Sequence, residues 1–406
     1  MIAPPFGKFL DDGVAMKFDP ATVDTARNHE SLRQLRQEMM AGQRPTACDL
    51  CWKEEAIGIT SKRLSMLEQY DMAALLAMTD PDGVIDRVPL AYLDLRLGNL
   101  CNLKCRSCGP SDSSLWVDDH AEIMQQSNAP TTMSYYGSQT YDLVKTQRGW
   151  EIDSADFDWH NDPAFHAWLD TKITDGLERL YFTGGEPTVN RNHMRILTRI
   201  IELGRSGEMI LEYNSNMVAI PPKLIELWRH FKQVSLGISI DAIGSLAGYV
   251  RHPSRWEAVE RNCDAIGYGQ VPNLSACLTP TISVLNVRHF IALSEWLIDK
   301  CYISVKKYPS WHLLHSPSYY SIQMLPDAMK ATITEEYDQF YRRIETHFGV
   351  GEANAVRREY DHIIRFMHDK STVEHLERLR IITAKLDQIR GETLRDHLPW
   401  LADILA

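Results

Sequence analysis

The sequence predicts an α/β protein built around a parallel sheet, and two observations support this fold class. Short apolar segments with the two-residue alternation of strands recur between residues 91 and 311. Segments with helical spacing lie between them, and this alternation is typical of βα units. The predicted strands cover residues 92–97, 179–183, 210–214, 233–240, 274–283 and 302–308. The predicted helices cover residues 111–124, 162–172, 191–203, 222–231, 256–267 and 287–299.

Changes of pattern along the chain predict three regions. Residues 1–88 form an N-terminal extension with a helix over 25–40, followed by the cysteine pair Cys48 and Cys51. Residues 89–315 hold the predicted sheet, interrupted at 127–158 by a polar stretch that is typical of an inserted loop. Residues 316–406 form a helical region, in which helical spacing and dense opposite charges predict helices over 326–347, 352–368 and 372–389, followed by a last short segment at 393–405 that contains Pro399.

The composition of the chain is that of a globular protein and argues against several kinds of partner and location. The chain has 406 residues, 44% of them hydrophobic and 24% charged, which is typical of a globular protein. Its net charge of −11 argues against nucleic acid as the main partner, because phosphate binding needs a basic surface. Neither a signal peptide nor an apolar run of roughly 18–20 residues is found, so we expect a cytoplasmic protein that does not enter the membrane. In that reducing compartment its eight cysteines are expected to be ligands or core residues rather than disulfides.

The strongest chemical signal is a loop with three cysteines directly after the first predicted strand. Cys101, Cys105 and Cys108 follow a Gly-Asn break within eight residues. Three thiolates can hold three irons of a cubane cluster and leave the fourth iron open to a substrate. Two alternatives stay open on the residues alone. The spacing also fits one face of a helix with structural cysteines, and a zinc site would need a fourth ligand.

A second motif ends the strand predicted over 179–183. It consists of Gly184, Gly185, Glu186 and Pro187. Paired glycines let the backbone approach a ligand closely, and Glu186 supplies a carboxylate suited to an ammonium group. The alternative is an ordinary strand-to-helix turn.

The cysteine loop and the Gly-Gly-Glu-Pro turn together resemble the radical S-adenosylmethionine (radical SAM) superfamily. The segment LRLGNLCNLKCRSCGP is similar to the twitch-domain radical SAM proteins, although Ser107 stands where that family usually has an aromatic residue. The resemblance implies a partial (β/α)6 TIM-type barrel with a 4Fe-4S cluster on Cys101, Cys105 and Cys108. It also implies an enzyme that cleaves S-adenosylmethionine reductively to a 5′-deoxyadenosyl radical, which abstracts hydrogen from a substrate.

The same resemblance implies roles for further residues at the ends of strands. The turn from Gly184 to Pro187 would receive the methionine amino group, and Arg251 would bind the methionine carboxylate. Ser239 and Asp241 match a Ser-x-Asp motif that contacts the ribose and the carboxylate of the cofactor. From its place at a strand end, Asn214 is a candidate for ribose or substrate contact, and the alternative is a helix cap.

The implied partners are a small-molecule or peptide substrate and an external one-electron donor such as flavodoxin or ferredoxin.

Cys48 and Cys51 begin a segment that resembles a family motif continuing through Trp52, Glu55, Gly58, Ser61 and Arg63, so a second metal site near this pair is a further possibility. The alternative function is an iron–sulfur or zinc-stabilised binding or maturation module without radical chemistry.

Overall fold

The computed structural model describes residues 10–11, 14–15, 23–56, 58, 60–86, 90–126, 132–135, 139–147, 149–152 and 157–406. The chain divides into two compact units. The first contains Met1–Ala91 and Asn161–Leu177, and the second contains Tyr92–His160 and Glu178–Ala406. The boundaries expected from the sequence, at 1–88, 89–315 and 316–406, stay a prediction.

The strands confirm the α/β class and the parallel sheet. In chain order they are β1 Leu10–Asp11, β2 Val14–Ala15, β3 Tyr92–Arg96, β4 Thr132–Tyr135, β5 Gln139–Thr146, β6 Gly149–Ile152, β7 Arg179–Thr183, β8 Ile210–Ser215, β9 Gln233–Ile238, β10 Leu274–Leu278, β11 Thr281–Ile282 and β12 His312–Leu313. The main sheet has five strands in the order β10-β9-β8-β7-β3, and every neighbouring pair is parallel. Sequential strands therefore lie side by side, as expected for consecutive βα units.

Helices fill the connections and form the C-terminal region. In chain order they are α1 Glu30–Met40, α2 Asp49–Ala56, α3 Lys62–Gln69, α4 Met72–Ala77, α5 Trp116–Gln126, α6 Pro163–Thr174, α7 Arg191–Glu202, α8 Pro222–Trp228, α9 Gly244–Val250, α10 Trp256–Gly267, α11 His289–Lys300, α12 Asp327–Phe348, α13 Val350–Asp369, α14 Leu376–Arg390, α15 Leu394–His397 and α16 Pro399–Ile404. The tail helices predicted over 326–347, 352–368 and 372–389 are confirmed as α12, α13 and α14, with the largest shift at the start of α14, and the last segment contains the two short helices α15 and α16.

The two faces of the main sheet differ in chemistry. One face is apolar and buried, and one row of paired residues across it consists of Leu95, Phe182, Tyr213, Leu236 and Ala276. Helices α7 and α8 cover this face, where the Trp228 ring lies 5.6 Å from that of Tyr213. The row on the opposite face consists of Asp94, Tyr181, Glu212, Ser235 and Ser275. The sheet therefore presents a polar surface on the side away from the helices.

The sixth strand predicted over residues 302–308 is wrong as a continuous strand. A single parallel bridge joins Val305 to Ala276, the N–H of Ser310 then donates to the carbonyl of Leu278 at 2.8 Å, and a ladder forms again between β11 and β12. In the interrupted part, Pro309 lies between Val305 and β12, and Pro280 lies between β10 and β11. Because proline has no backbone N–H to donate, a ladder breaks where it occurs. The strand predicted over 274–283 is divided into β10 and β11 for the same reason.

The polar insertion predicted as an irregular loop contains strands instead. β4, β5 and β6 form an antiparallel sheet of their own. Ile152 of β6 packs with Val117 and Ala121 of α5, so this small sheet has a hydrophobic anchor on the main unit. Residues 127–131, 136–138, 148 and 153–156 of the insertion lie outside the described part.

Candidate functional site

The loops that follow β3, β7 and β8 meet at the carboxyl-terminal edge of the main sheet. The backbone N–H of Glu186, after β7, donates to the carbonyl of Leu100 at 2.8 Å. The side-chain amide of Asn216, after β8, donates to Asn102 Oδ1 at 2.7 Å. Because all five strands are parallel, their carboxyl ends gather these loops, and this edge is where parallel α/β folds bind ligands.

The backbone of the cysteine loop is bound to the segment after α9. The N–H of Lys104 donates to the carbonyl of His252 at 2.6 Å, and the N–H of Arg106 donates to the carbonyl of Val250 at 2.9 Å. Lys104 and Arg106 flank Cys105, so both neighbours of this cysteine are held in place. These backbone hydrogen bonds fix the conformation of the loop around Cys105.

The three predicted thiols lie in one neighbourhood, and two of them interact directly. Cys105 is buried, whereas Cys101 and Cys108 are half-buried. A hydrogen bond between the Cys105 and Cys108 thiols lowers the pKa of Cys105 and raises that of Cys108. Burial raises the pKa of Cys101 to about 12. Arg251 Nη1 lies 3.9 Å from Cys105 Sγ, so a cation faces the most buried thiol.

The placement of the side chains around the three thiols limits which metal group they could hold. Among the described residues, no three His, Cys, Asp or Glu side chains converge as ligands of one metal ion do. The thiols therefore do not form the tetrahedral site of a structural zinc, in which each sulfur lies roughly 2.3 Å from a common ion. A cubane cluster binds each thiolate to a different iron, and three cysteines on one loop supply ligands of that type and number.

The two glycines of the Gly-Gly-Glu-Pro turn are required by a close approach to the cysteine loop. Gly184 and Gly185 have φ angles of +79° and +54°, in the left-handed region. A Cβ on Gly185 would lie 2.1 Å from the carbonyl oxygen of Leu100. On Gly184 it would lie 2.2 Å from Cγ of Arg96. The motif therefore packs its backbone against the residues that lead into Cys101.

Glu186 is buried, and protein donors bind its carboxylate. The backbone N–H of Asn216 donates to Oε2 at 2.7 Å, and the hydroxyls of Ser215 and Thr188 donate to Oε1 at 2.9 and 2.7 Å. The N–H of Thr188 also donates to Oε1, at 3.2 Å. Burial raises the pKa of Glu186, and these hydrogen bonds act against that rise. Glu186 thus joins the turn after β7 to the end of β8, and Pro187 follows it as the first residue of a short 3-10 turn.

Asp241, which is buried, and Arg251, which is half-buried, form an ion pair beside Cys105. Arg251 Nε donates to Asp241 Oδ2 at 2.7 Å, and the N–H of Thr281 donates to Oδ1 at 2.8 Å. Burial lowers the pKa of Arg251, but the charges of Asp241 and Cys105 outweigh it, so the net pKa is raised. The structure therefore brings together two residues that were selected separately from the sequence.

Asn214 and Ser239 stand apart from this group. Asn214 is exposed on the polar face of the sheet, where its amide donates to the hydroxyl of Tyr181. Ser239 follows the end of β9, and its N–H donates to the carbonyl of Ser215 at 2.8 Å. On a straight strand Asn216 would share a face with Asn214. Because β8 ends at Ser215, Asn216 is instead buried beside Glu186. The cofactor roles of Asn214 and Ser239 stay predictions.

Sequence reasoning missed a buried charge network that joins the cysteine loop to the C-terminal region. Arg106 is fully buried, and its Nη2 donates to Asp387 at 2.5 Å and to Glu392 at 2.7 Å. Its guanidinium lies over the Tyr249 ring, 3.7 Å from the centroid. These partners are more than 140 residues away along the chain, so no local pattern could have identified them.

The motif around Cys48 and Cys51 lies in the first unit. Both cysteines are buried, and burial raises the pKa of Cys48. Glu55 accepts from Ser61 at 2.5 Å and binds both nitrogens of the Arg63 fork at 3.0 and 2.7 Å. Glu55, Ser61 and Arg63 therefore support the local fold of this segment, and a third metal ligand beside the cysteines is not found in the described residues.

Comparisons with known proteins give distant structural matches. No protein-family model matches this chain, and no curated protein matches it. The chain is similar to native anSMEcpe with bound AdoMet, at 15% identity and a TM-score of 0.40, covering 70% of this chain and 63% of that one. It is also similar to Streptococcus suis SuiB bound to S-adenosylmethionine, at 14% identity and a TM-score of 0.38, covering 80% and 61%.

A further match is Streptococcus suis SuiB bound to precursor peptide SuiA, at 15% identity and a TM-score of 0.37, covering 74% and 60%. The chain spans less than two thirds of the length of each of these proteins. Within the described part of this chain, no helix combines the length and apolarity needed to cross a membrane. The functional proposal rests on this chain's own residues.

Proposed function

We propose that this chain is a radical SAM enzyme. The observation that carries the proposal is the packing of the Gly-Gly-Glu-Pro turn against the loop that bears Cys101, Cys105 and Cys108. The N–H of Glu186 donates to the carbonyl of Leu100, directly before Cys101. Two motifs separated by about 80 residues in the sequence thus form one structure at the ligand-binding edge of a parallel sheet.

In this proposal Cys101, Cys105 and Cys108 hold a 4Fe-4S cluster with one iron left without a protein ligand. When bound there, the cluster would supply the electron for reductive cleavage of S-adenosylmethionine, and the resulting 5′-deoxyadenosyl radical would abstract hydrogen from the substrate. Metal ligation requires thiolates. The guanidinium of Arg251, 3.9 Å from Cys105 Sγ, favours that charged form.

The remaining site residues bind and orient the methionine portion of the cofactor. The backbone of Gly184 and Gly185 lies open at the turn, because neither residue has a Cβ. The planar guanidinium of Arg251 suits a carboxylate, and Asp241 holds its Nε so that the other nitrogens keep a defined direction. Glu186 acts through its contacts with Ser215 and Asn216, which fix the end of β8 beside the turn.

The substrate, a small molecule or a peptide, is proposed to bind the polar face of the sheet. The row of Asp94, Tyr181, Glu212 and Ser235 offers carboxylates and hydroxyls there. An external donor such as flavodoxin or ferredoxin would supply electrons in the cytoplasm, where thiols stay reduced.

Anaerobic reconstitution with iron and sulfide, followed by S-adenosylmethionine and dithionite, tests the proposal. We expect the full-length chain to form 5′-deoxyadenosine slowly without substrate, measured by chromatography. C105A should form none, because it lacks one cluster ligand. C301A is the matched control, since Cys301 is exposed and lies outside the site, and it should match the wild type.

Two results would contradict the proposal. One is an iron-loaded wild-type protein that forms no 5′-deoxyadenosine under reducing conditions, which would favour a binding module without radical chemistry. The other is equal product from C105A and the wild type.

A further inference from the structure

Arg390, the last residue of α14, reaches the cysteine loop through a shared carboxylate. Its side chain is fully buried, and its Nε donates to Asp119 Oδ2 at 2.8 Å. The other oxygen of Asp119 accepts from Nζ of Lys104, the neighbour of Cys105, at 2.6 Å. The guanidinium of Arg390 also lies 4.8 Å from the centroid of the Trp116 ring. The side chain is therefore held in one orientation from two sides.

The two terminal nitrogens of Arg390 are buried without a hydrogen-bond partner. Neither Nη1 nor Nη2 bonds to any residue that the structure describes. Together they carry four N–H donors with a full positive charge. Burying such donors unpaired costs free energy, so native proteins almost always satisfy them. An acceptor of negative charge is therefore expected beside these nitrogens.

The residues packed around Arg390 also contact the cysteine loop. The indole N–H of Trp116, the ring under Arg390, donates to the carbonyl of Cys105 at 2.7 Å. Cys108 packs against the apolar cluster that Trp116 forms with Leu386, one turn before Arg390 on α14. Asp119 and Trp116, two residues that contact the Arg390 side chain, thus each bind the cysteine loop next to or at Cys105.

We propose that Arg390 is a second cationic partner, besides Arg251, of the anionic sulfur held by the cysteine loop, and that its Nη1 and Nη2 would donate to that sulfur. The inference rests on the proposed function and adds a role for the C-terminal region. Hydrogen bonds and charges around the sulfurs set the reduction potential of iron–sulfur clusters. Arg390 is therefore a residue that tunes and positions the cluster.

The test compares midpoint potentials in reconstituted full-length protein by EPR-monitored redox titration. R390Q removes the positive charge, R390K keeps it without the planar fork, and R380Q removes an exposed arginine from the same helix. We expect R390Q to make one-electron reduction about tenfold less favourable, a fall of about 59 mV for one electron. R390K should lie much nearer the wild type, and R380Q should equal it.

The outcomes separate this inference from the proposed function. A wild type that takes up no iron overturns both. A wild type that takes up iron, with the same midpoint potential in R390Q, overturns the role of Arg390 and leaves the function standing. If R390Q takes up little iron while R390K takes up a full complement, the need for charge is supported. Equal loss of iron from both variants would mean that Arg390 only packs, and would overturn the inference.

Discussion

At the scale of single residues, the burial of His193 makes the stability of the protein depend on pH. His193 is fully buried on α7, with its ring 4.8 Å from that of Phe182 and its Nε2 2.9 Å from the Tyr213 hydroxyl. Burial lowers its pKa from 6.5 to about 3. Because the folded pKa is depressed, the unfolded chain binds a proton that the folded chain excludes between these values. The contribution of neutral, buried His193 to the free energy of unfolding is therefore fully present above pH 6.5 and is lost as the pH falls towards 3.

We therefore expect the wild type to lose unfolding free energy faster than H193Q on acidification below pH 6.5. The extra slope should reach at most about 1.4 kcal/mol per pH unit, the limit for one proton. Urea unfolding at several pH values measures it. H347Q, at an exposed position of α12, is the control and should follow the wild-type curve. Parallel curves for the wild type and H193Q would show that His193 does not titrate as its burial requires.

Residue types in the site could be selected from the sequence, but their partners could not. Arg251 and Asp241 were chosen separately, and the structure joins them in one ion pair. Glu186 was expected to face a ligand ammonium group, yet protein donors surround its carboxylate. Which donors reach a buried carboxylate depends on how separate loops pack, and a one-dimensional pattern does not contain that information.

At the scale of elements, the contact between the Gly-Gly-Glu-Pro turn and the cysteine loop is the feature most open to a stability test. G185A would place a Cβ 2.1 Å from the carbonyl oxygen of Leu100, in addition to the strain of a left-handed φ. G204A, after α7, has a φ of +71° and meets nothing within 4 Å, so it carries only the strain. That strain is roughly 1–2 kcal/mol.

We expect G185A to lower the free energy of unfolding by about 2 kcal/mol or more beyond the loss in G204A. Urea unfolding of the metal-free full-length chain measures both. Iron uptake should also fall in G185A alone, because the shifted turn would displace the residues before Cys101. Equal destabilisation by the two variants would mean that the close approach to Leu100 contributes nothing.

Elements with strong periodicity were predicted well, and the failures have local causes. Strand β7 and helix α10 have the bounds expected from their apolar patterns. The segment 302–308 has strand composition, but its ladder is reduced to one bridge near Pro309 and Pro280. In the insertion, polar Ser, Thr and Tyr residues gave no apolar face, so the antiparallel strands β4 to β6 were not expected.

At the scale of the molecule, the second unit joins its C-terminal helices to the cysteine loop by buried charges. Arg106 binds Asp387 and Glu392, and Arg390 binds Asp119. The sequence predicted these helices from their spacing and dense opposite charges, but it did not predict the partners of those charges. Pairs separated by more than 270 residues carry no local signature, so this connection could come only from the structure.

The central claim is that three cysteines hold a cluster whose open iron binds S-adenosylmethionine. Low-temperature EPR of the reduced, iron-reconstituted full-length chain, recorded before and after adding S-adenosylmethionine, tests it most directly. We expect a 4Fe-4S signal whose g values change on addition, because the cofactor completes the coordination of one iron. A signal that is identical before and after addition would contradict the claim, as would a fully reconstituted protein without a cluster signal.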